Sequence, residues 1–225
     1  MNTLTKLAMG MIGQLKPKPA QGNAVSALPL PPPQMHGGLP LMQALSQRHS
    51  EREFSPSPLD HQVLSDLLWA AAGVNRPDDK GRTTPSAMNS QEIDVFVALP
   101  EGLYRYEPSG HVLYLISATD VRRVTGYQDF VDRAPLDLVF VADHSRMTAV
   151  PAAHRESYAS VAAGAMAQSV YLFCASAGLG TVIRAWMDRQ ALSEAMGLQA
   201  DHQILLSQTV GWPTAAAAGI SPPPA

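Results

Sequence analysis

The stretch from Ala153 to Ala177 constrains the fold of this chain more than any other segment. Ala, Gly, Ser and Met dominate it, bulky apolar side chains recur along it, and Gly178 ends it. A helix that is apolar nearly all round must be covered on several sides, and its small residues let another helix approach closely. The pattern therefore predicts a central helix, packed either within one subunit or across a two-fold axis between two subunits.

Shorter helices and a group of strands accompany this helix. The sequence predicts one helix over about Leu41–Gln47 and a second that is capped by Ser57 and stopped by Gly73. A further helix opens at Asp188 and closes at Gly197. Apolar runs predict strands over Ile93–Leu99, Gly102–Tyr106, His111–Ser117, Asp137–Ala142, Thr181–Ala185 and Gln203–Val210. Because the strands cluster in the middle and the helices do not alternate strictly with them, the predicted fold class is α+β.

The distribution of prolines sets the expected domain boundaries. The chain has 225 residues, 46% of them hydrophobic, and its 19 prolines are concentrated near the two ends. We therefore predict a Pro-rich leader and linker over residues 1–38, a folded domain over 39–213 and an Ala/Pro-rich tail over 214–225. Lys6 before the short apolar piece Leu7–Ile12 resembles a weak secretion signal. We expect a cytoplasmic protein, with export as the alternative.

Charge and composition argue against several classes of protein. A net charge of −3 gives no reason to expect nucleic acid or an anionic membrane as a partner. We find no apolar run that approaches the roughly 20 residues of a membrane span. The single cysteine, Cys174, excludes an intramolecular disulfide and is interpreted as a buried small hydrophobe. The scattered histidines predict no metal site.

Gly178-Leu179-Gly180 invites comparison with a dinucleotide-binding loop. This segment follows a helix rather than a strand, and Ile183 occupies the position of the third glycine. A Rossmann-type site is therefore not expected.

Arg48, Ser50 and Arg52 alternate in a short segment just after the first predicted helix. In an extended chain alternate side chains share a face, so two guanidinium groups and a hydroxyl would point the same way. Paired donors of this kind match the oxygens of a phosphate. Taken alone, the segment is compatible with a phosphate site and with a solvated basic turn.

A second polar segment lies in the turn-rich stretch over residues 74–92, which predicts a surface loop. Asn89 and Gln91 carry both hydrogen-bond donors and acceptors, as the edge of a heteroaromatic ring requires. By itself this segment is also compatible with a plain loop.

Four segments, in the right order, resemble the signatures of the nitroreductase-like flavoprotein superfamily. They are Arg48-His49-Ser50-Glu51-Arg52-Glu53-Phe54, Pro85-Ser86-Ala87-Met88-Asn89-Ser90-Gln91, Gly178-Leu179-Gly180-Thr181-Val182 and Gly211-Trp212-Pro213. The resemblance covers roughly residues 39 to 213. Within the superfamily, Leu68–Gly73, Arg82–Ala87 and Gly102–Tyr106 are most similar to the group of streptolysin-associated (SagB-type) and thiazole-forming dehydrogenases.

The resemblance implies a nitroreductase-like fold, in which helices flank a central mixed and mostly antiparallel sheet, and an intertwined homodimer with the flavin between subunits. It implies FMN as the cofactor, with its phosphate held by Arg48, Ser50 and Arg52 and its ring edge met by Asn89. His49 either contacts the flavin or packs beside it. The backbone of Ala185 and Trp186 would lie beside flavin N5. The full implied set of cofactor-binding residues is Arg48, His49, Ser50, Arg52, Arg82, Pro85, Ser86, Ala87, Met88, Asn89, Gln91, Gly178, Leu179, Gly180, Thr181 and Arg184.

Two departures from the family pattern affect this site. Many relatives have basic side chains near the C-terminus at the phosphate, whereas this chain has no Lys or Arg after Arg189. Arg82 or Arg184 is the suggested substitute, from position in the sequence. Relatives with an acidic residue beside N5 have Ala185 in its place here, so only backbone donors are expected there.

The implied activity is hydride transfer from NADH or NADPH through FMN to a small organic acceptor of the nitroaromatic or quinone type, by a ping-pong cycle. Two alternatives remain open. One is an FMN-dependent dehydrogenase or oxidase of the azoline-oxidising type, and the other is a non-catalytic module that binds flavin or another ligand.

Overall fold

The computed structural model describes residues 26–78 and 80–214, together with the backbone of Lys18 and Pro19. Its helices are α1 (Leu41–Gln47), α2 (His61–Ala72), α3 (Ala152–Ala177) and α4 (Arg189–Met196). Its strands are β1 (Lys18–Pro19), β2 (Ala27–Pro29), β3 (Val74–Arg76), β4 (Gly81–Arg82), β5 (Ile93–Leu99), β6 (Gly102–Glu107), β7 (Val112–Ser117), β8 (Thr119–Asp120), β9 (Leu136–Asp143), β10 (Gly180–Arg184) and β11 (His202–Gly211). Short 3₁₀ turns cover Ala87–Asn89, Arg122–Val124, Asp129–Asp132 and His144–Arg146.

A seven-stranded sheet organises the domain, in the order β10-β11-β9-β5-β6-β7-β2. Each neighbouring pair in this sheet is antiparallel, so the mixed sheet that we expected has no parallel pair among the described residues. Helices flank the sheet, and the prediction of an α+β fold is confirmed.

Central strand β9 shows how the sheet is buried on both sides. Leu138 and Phe140 point into the larger core, which α2 and α3 cover, whereas Val139 and Val141 point into a second core on the opposite face, to which α4 contributes. All four are fully buried, as their continuous apolar run predicted.

Helix α3 is the long central helix that the small-residue pattern predicted. Ala159, Ala163 and Ala167 are buried on its inner side, where small side chains let the helix lie close to its neighbours. By length and composition alone α3 could also cross a membrane, contrary to the expectation that no segment could. Its packing within the larger core gives a sufficient reason for its apolar character. Cys174 lies buried in the same core, and burial raises the pKa of its thiol, which agrees with an inert packing role.

The predicted start of the folded domain near residue 39 is wrong, because earlier residues already belong to the fold. Strand β2 pairs with β7 at the outer edge of the sheet. The Ser65 hydroxyl then donates to the carbonyl of Pro31 at 2.5 Å, and the Leu39 amide donates to Ser176 at 2.7 Å. Proline lacks an N–H, but an edge strand leaves one side unpaired and therefore accepts it. The proposed secretion signal and residues 215–225 of the predicted tail lie outside the described residues.

Candidate functional site

The first polar segment leaves the end of α1 and runs along α3. Helix α1 ends where the Arg48 amide donates to the carbonyl of Ala44 at 2.9 Å. The Arg48 guanidinium carbon lies 5.3 Å from the centroid of the Tyr171 ring, and the Ser50 hydroxyl lies 2.9 Å from the Tyr171 hydroxyl. Arg48 and Ser50 therefore meet at one residue of α3.

Arg52 joins this corner by reaching back along the chain. Its guanidinium donates to the carbonyl of Ser50 at 3.2 Å. Glu51 turns the other way, where its carboxylate accepts the backbone amides of Arg52 and Glu53 at 2.7 and 2.8 Å. Among the described residues neither Arg48 nor Arg52 forms an ion pair. We call Arg48, Ser50, Arg52 and Tyr171 the cationic corner.

His49 has 70% of its side chain exposed and lines a small cavity together with Tyr171 and Thr181. Its Nδ1 is 2.9 Å from the carbonyl of Gln47, and its Nε2 is 3.7 Å from the Glu51 carboxylate. The structure therefore gives His49 contacts with its own segment.

The third segment supports the cationic corner from the neighbouring strand. Gly178 ends α3 with φ of 71°, a left-handed conformation that favours glycine, and the Leu179 amide donates to the carbonyl of Cys174 at 2.9 Å. A Cβ at Gly180 would lie 2.6 Å from Cγ of Glu51, so the two segments approach too closely for a larger residue. The Glu51 amide donates to the carbonyl of Thr181 at 3.0 Å.

The second segment has an unusual backbone conformation. Met88, Asn89 and Gln91 all have positive φ, between 49° and 54°, which is uncommon outside glycine. The Ser86 hydroxyl accepts the Gln91 amide at 2.9 Å, and the Gln91 side chain donates to Asn89 Oδ1 at 3.1 Å. Strain of this kind persists only where the surroundings over-determine the conformation, and it is concentrated at functional sites.

Arg146 is the residue that fixes this turn from outside, and sequence reasoning missed it. Its guanidinium donates to the carbonyl of Gln91 at 2.8 Å and pairs with Asp94 at 2.5 Å and Asp143 at 3.0 Å. Gln91 and Asp94 lie more than 50 residues from Arg146 in the sequence, so no local pattern indicates that Arg146 reaches this turn.

Glu92, next to Gln91, is a second residue that sequence reasoning missed. It is fully buried, and neither carboxylate oxygen has a hydrogen-bond partner in the described part of the chain. Burial raises the pKa of Glu92, while the nearby Arg146, Arg82 and His144 oppose that shift.

A cleft of about 400 Å³ separates the second segment from the N-terminal half of α3. Its lining residues are Pro85, Ser86, Ala87, Tyr158, Val161 and Ala162. Met88, which follows in the same segment, is 72% exposed. The cleft is therefore apolar and open to solvent in the single chain.

The cleft and the cationic corner lie at different levels of the same helix. Ala162 in the cleft and Tyr171 in the corner are nine residues apart, which corresponds to about 14 Å along an α-helix. Within one chain the structure therefore brings together the first and third segments, whereas the second segment lies elsewhere on α3.

The structure places Arg184 in a buried ion pair rather than at the cationic corner. Its guanidinium is 2.5 Å from Asp137 and also donates to the Thr125 carbonyl at 3.0 Å and the Thr209 hydroxyl at 2.6 Å. Asp137 shares its face of β9 with Val139, which lies in the core opposite α3. The suggested use of Arg184 at the phosphate is thus not compatible with its position, because both terminal nitrogens of its guanidinium donate on the far side of the sheet.

Arg82 also lies away from the cationic corner. Its guanidinium donates to the carbonyl of Ile93 at 3.3 Å, beside the Asp94–Arg146 pair. Burial, together with the charge of Arg146, lowers the pKa of Arg82. Arg82 therefore belongs to the surroundings of the second segment.

Ala185 and Trp186 follow directly after β10, the strand that supports the cationic corner. Both are exposed, and the Trp186 ring packs edge-on against Tyr127 at 5.6 Å between centroids. Both positions are therefore open to solvent.

Comparisons with known proteins agree with this architecture. Residues 45–212 match the nitroreductase family model. A protein of Methanocaldococcus jannaschii that is assigned as a nitroreductase is 35% identical over 153 residues, which cover 63% of this chain and 76% of the relative. The crystal structure of a protein of Ralstonia eutropha with the same assignment is 54% identical, superposes with a TM-score of 0.85, and is matched over 89% of this chain and 95% of its own.

A third similar structure is the microcin synthetase McbBCD complex of E. coli, with bound truncated pro-microcin. It shares 17% identity and a TM-score of 0.64, over 93% of this chain and 92% of the matched one. At this identity the likeness shows a shared fold. The fold and the match over most of the chain define an oxidoreductase of the nitroreductase type. This chain belongs to the nitroreductase family.

Proposed function

We propose that this protein binds FMN and uses it to transfer hydride from NADH or NADPH to a small organic acceptor of the nitroaromatic or quinone type. Membership of the nitroreductase family supports an oxidoreductase. The observation that carries the proposal is the cationic corner, where two guanidinium groups with no carboxylate partner among the described residues lie beside a serine hydroxyl.

The residues of the cationic corner fit the phosphate end of such a cofactor. A phosphate dianion is acceptor-only, and Arg48, Ser50 and Arg52 supply donors. Glu51, which lies between Ser50 and Arg52 in the sequence, is buried and bound to backbone amides, so it does not neutralise the corner from within. The corner therefore has the charge and the donors that an anionic group requires.

The remaining roles follow from exposure and donor chemistry. Asn89 and Gln91 would address the polar edge of the ring, and the small residues Ser86 and Ala87 would let it approach the backbone. When bound, FMN supplies the hydride chemistry. The protein's part is to hold the phosphate, orient the ring and direct backbone amides near Ala185 towards the position where negative charge develops.

We further propose that the complete site forms between two copies of the chain. Tyr158 and Val161 are 44% and 71% exposed on the outer face of α3, and a Cβ at Gly164 on the same helix would meet no atom within 4 Å. Nothing in the described part of one chain therefore requires a small residue at position 164, whereas a close helix contact with a second copy would.

The positions along α3 support this arrangement. If two α3 helices pack antiparallel about an axis at the level between Met166 and Ala167, the level of Ala162 in one copy meets that of Tyr171 in the other. The cleft and the corner are about 14 Å apart along α3 within one chain, but the cleft of one copy would then lie level with the corner of the other. Leu41 and Met42 on α1, 63% and 75% exposed, add apolar surface that a second copy would cover.

Purified protein tests the proposal directly. We expect a yellow protein whose visible absorbance is bleached by NADH or NADPH without oxygen and restored by a nitroaromatic or quinone. Yellow protein that resists both nicotinamides but oxidises an azoline peptide would favour the alternative suggested by the shared fold with the microcin synthetase complex. Colourless protein that refuses added FMN would contradict the proposal.

A double variant locates the site. Arg48→Ala with Arg52→Ala removes two charge-assisted contacts of about 1.5–3 kcal/mol each, so FMN affinity should fall by roughly 10²–10⁴-fold. Arg105→Ala with Arg133→Ala, at two exposed positions, changes the net charge equally and should leave FMN bound. Stoichiometric FMN in the first double variant would overturn the assignment.

A further inference from the structure

Tyr171 is at the centre of the cationic corner, although it belongs to none of the four sequence signatures. It is buried, with 7% of its surface exposed, in the C-terminal half of α3. Its hydroxyl lies 3.0 Å from the backbone nitrogen of Ile183 and 2.9 Å from the hydroxyl of Ser50. The phenol thus connects α3, strand β10 and the segment after α1 through a single oxygen atom.

The hydrogen-bond inventory fixes the direction of the first contact, and a bound anion would select the direction of the second. The Ile183 N–H can only donate, so the Tyr171 oxygen is its acceptor. The phenol has one proton of its own, and Ser50 Oγ is the partner within reach. When Tyr171 donates to Ser50, the serine hydroxyl keeps its own proton for another acceptor. In the opposite arrangement Ser50 would turn lone pairs towards an incoming anion, which is unfavourable.

The aromatic ring of Tyr171 acts on the second donor of the corner. The Arg48 guanidinium lies over its face at 5.3 Å, a distance at which cation and ring attract each other. This contact holds Arg48 beside Ser50 without a carboxylate, so the positive charge is not neutralised.

Among the described strands, β10 is at the edge of the sheet and pairs with β11 alone. Ile183 is two residues before Ala185, so Tyr171 also ties the corner to the strand that leads to the proposed ring site.

We propose that Tyr171 is a positioning residue for the phosphate, which directs the Ser50 proton and the Arg48 guanidinium towards it. This inference rests on the proposed binding of FMN. Tyr171 acts through Ser50 and Arg48, and its effect should therefore depend on whether the ligand carries a phosphate.

The test compares FMN with riboflavin, which lacks the phosphate, in titrations of apo-protein. Tyr171→Phe keeps the ring below Arg48 but removes the hydroxyl, and we expect the Kd for FMN to rise roughly tenfold while the Kd for riboflavin stays within about twofold. Tyr114→Phe, at a half-exposed position on β7, is the matched control and should change neither Kd.

Ser50→Ala provides a second variant that does not alter α3. It should raise the Kd for FMN similarly, and combining it with Tyr171→Phe should add little, because both remove the same directed proton. Equal weakening of FMN and riboflavin by Tyr171→Phe, an unchanged Kd for FMN, or fully additive effects of the two substitutions would each overturn the inference. Wild-type protein that binds neither flavin would overturn the proposed function as well.

Discussion

Replacing Arg184 by methionine separates a structural role of this arginine from the cofactor role that its sequence position suggested. The guanidinium pairs with Asp137 in the protein interior, where the two side chains are 4% and 0% exposed. Methionine keeps much of the side-chain length and removes the charge. Asp137 then keeps the hydroxyls of Thr209 and Thr125 but no paired cation, in surroundings where burial raises the pKa of the carboxyl.

The size of the effect follows from burial. Removing one partner of a buried ion pair costs about 3–5 kcal/mol, because the other charge stays behind uncompensated. For a domain of about 150–250 residues, each kcal/mol lowers the Tm by about 2–4 °C. Arg184→Met should therefore lower the Tm by roughly 6–20 °C. Adding Asp137→Asn removes the stranded charge, so the double variant should be more stable than Arg184→Met alone.

Thermal unfolding measures the change in stability, and FMN titration well below the Tm measures the change in cofactor affinity. Arg133→Met, at an exposed position, is the matched control and should shift the Tm by little. We expect the Kd of folded Arg184→Met for FMN to stay within about threefold of wild type. A Tm within about 2 °C of wild type together with a large loss of FMN affinity would refute the reasoning and place the guanidinium at the phosphate.

Two further predictions concern the second segment and the outer face of α3. Because burial raises the pKa of Glu92, its stabilising contribution is present at low pH and is lost as the pH rises above the ordinary pKa of glutamate. Glu92→Gln stays neutral, so its Tm should match that of wild type near pH 4 and exceed it increasingly towards pH 8. The control Glu101→Gln, at an exposed position, should show no such trend. Gly164→Glu puts a charge on the open face of α3, where glutamate also has a higher helix propensity than glycine. We therefore expect a folded monomer in analytical ultracentrifugation and weakened FMN binding in titration, and a stable dimer that keeps FMN would count against a contact there. The control is Gln190→Glu, at an exposed position of α4.

Local patterns in the sequence predicted the elements whose causes are local. The small residues of α3 and the continuous apolar run of β9 determine how each is buried, and both predictions are confirmed. Arg48 and Ser50 both contact Tyr171, and Arg52 reaches the Ser50 carbonyl, since a segment of five residues limits how far apart they can lie. That they hold a phosphate stays a prediction.

Features that depend on tertiary packing were not predicted. Tyr171, Arg146 and Glu92 act on segments far away in the sequence or through burial, and no periodicity indicates such partners. Arg184 was misjudged because a strand alternates its faces, and the sequence of β10 does not say which face meets α3. The early domain boundary was missed because prolines favour a linker, although an edge strand accepts them equally.

A crystal structure of the protein with bound FMN tests the central claim most directly. The account predicts phosphate density within hydrogen-bond distance of Arg48, Ser50 and Arg52 of one copy, with the ring edge at Asn89 of a second copy. Phosphate density at Arg184 or Arg82, or a flavin held entirely within one chain and away from Tyr171, would contradict it.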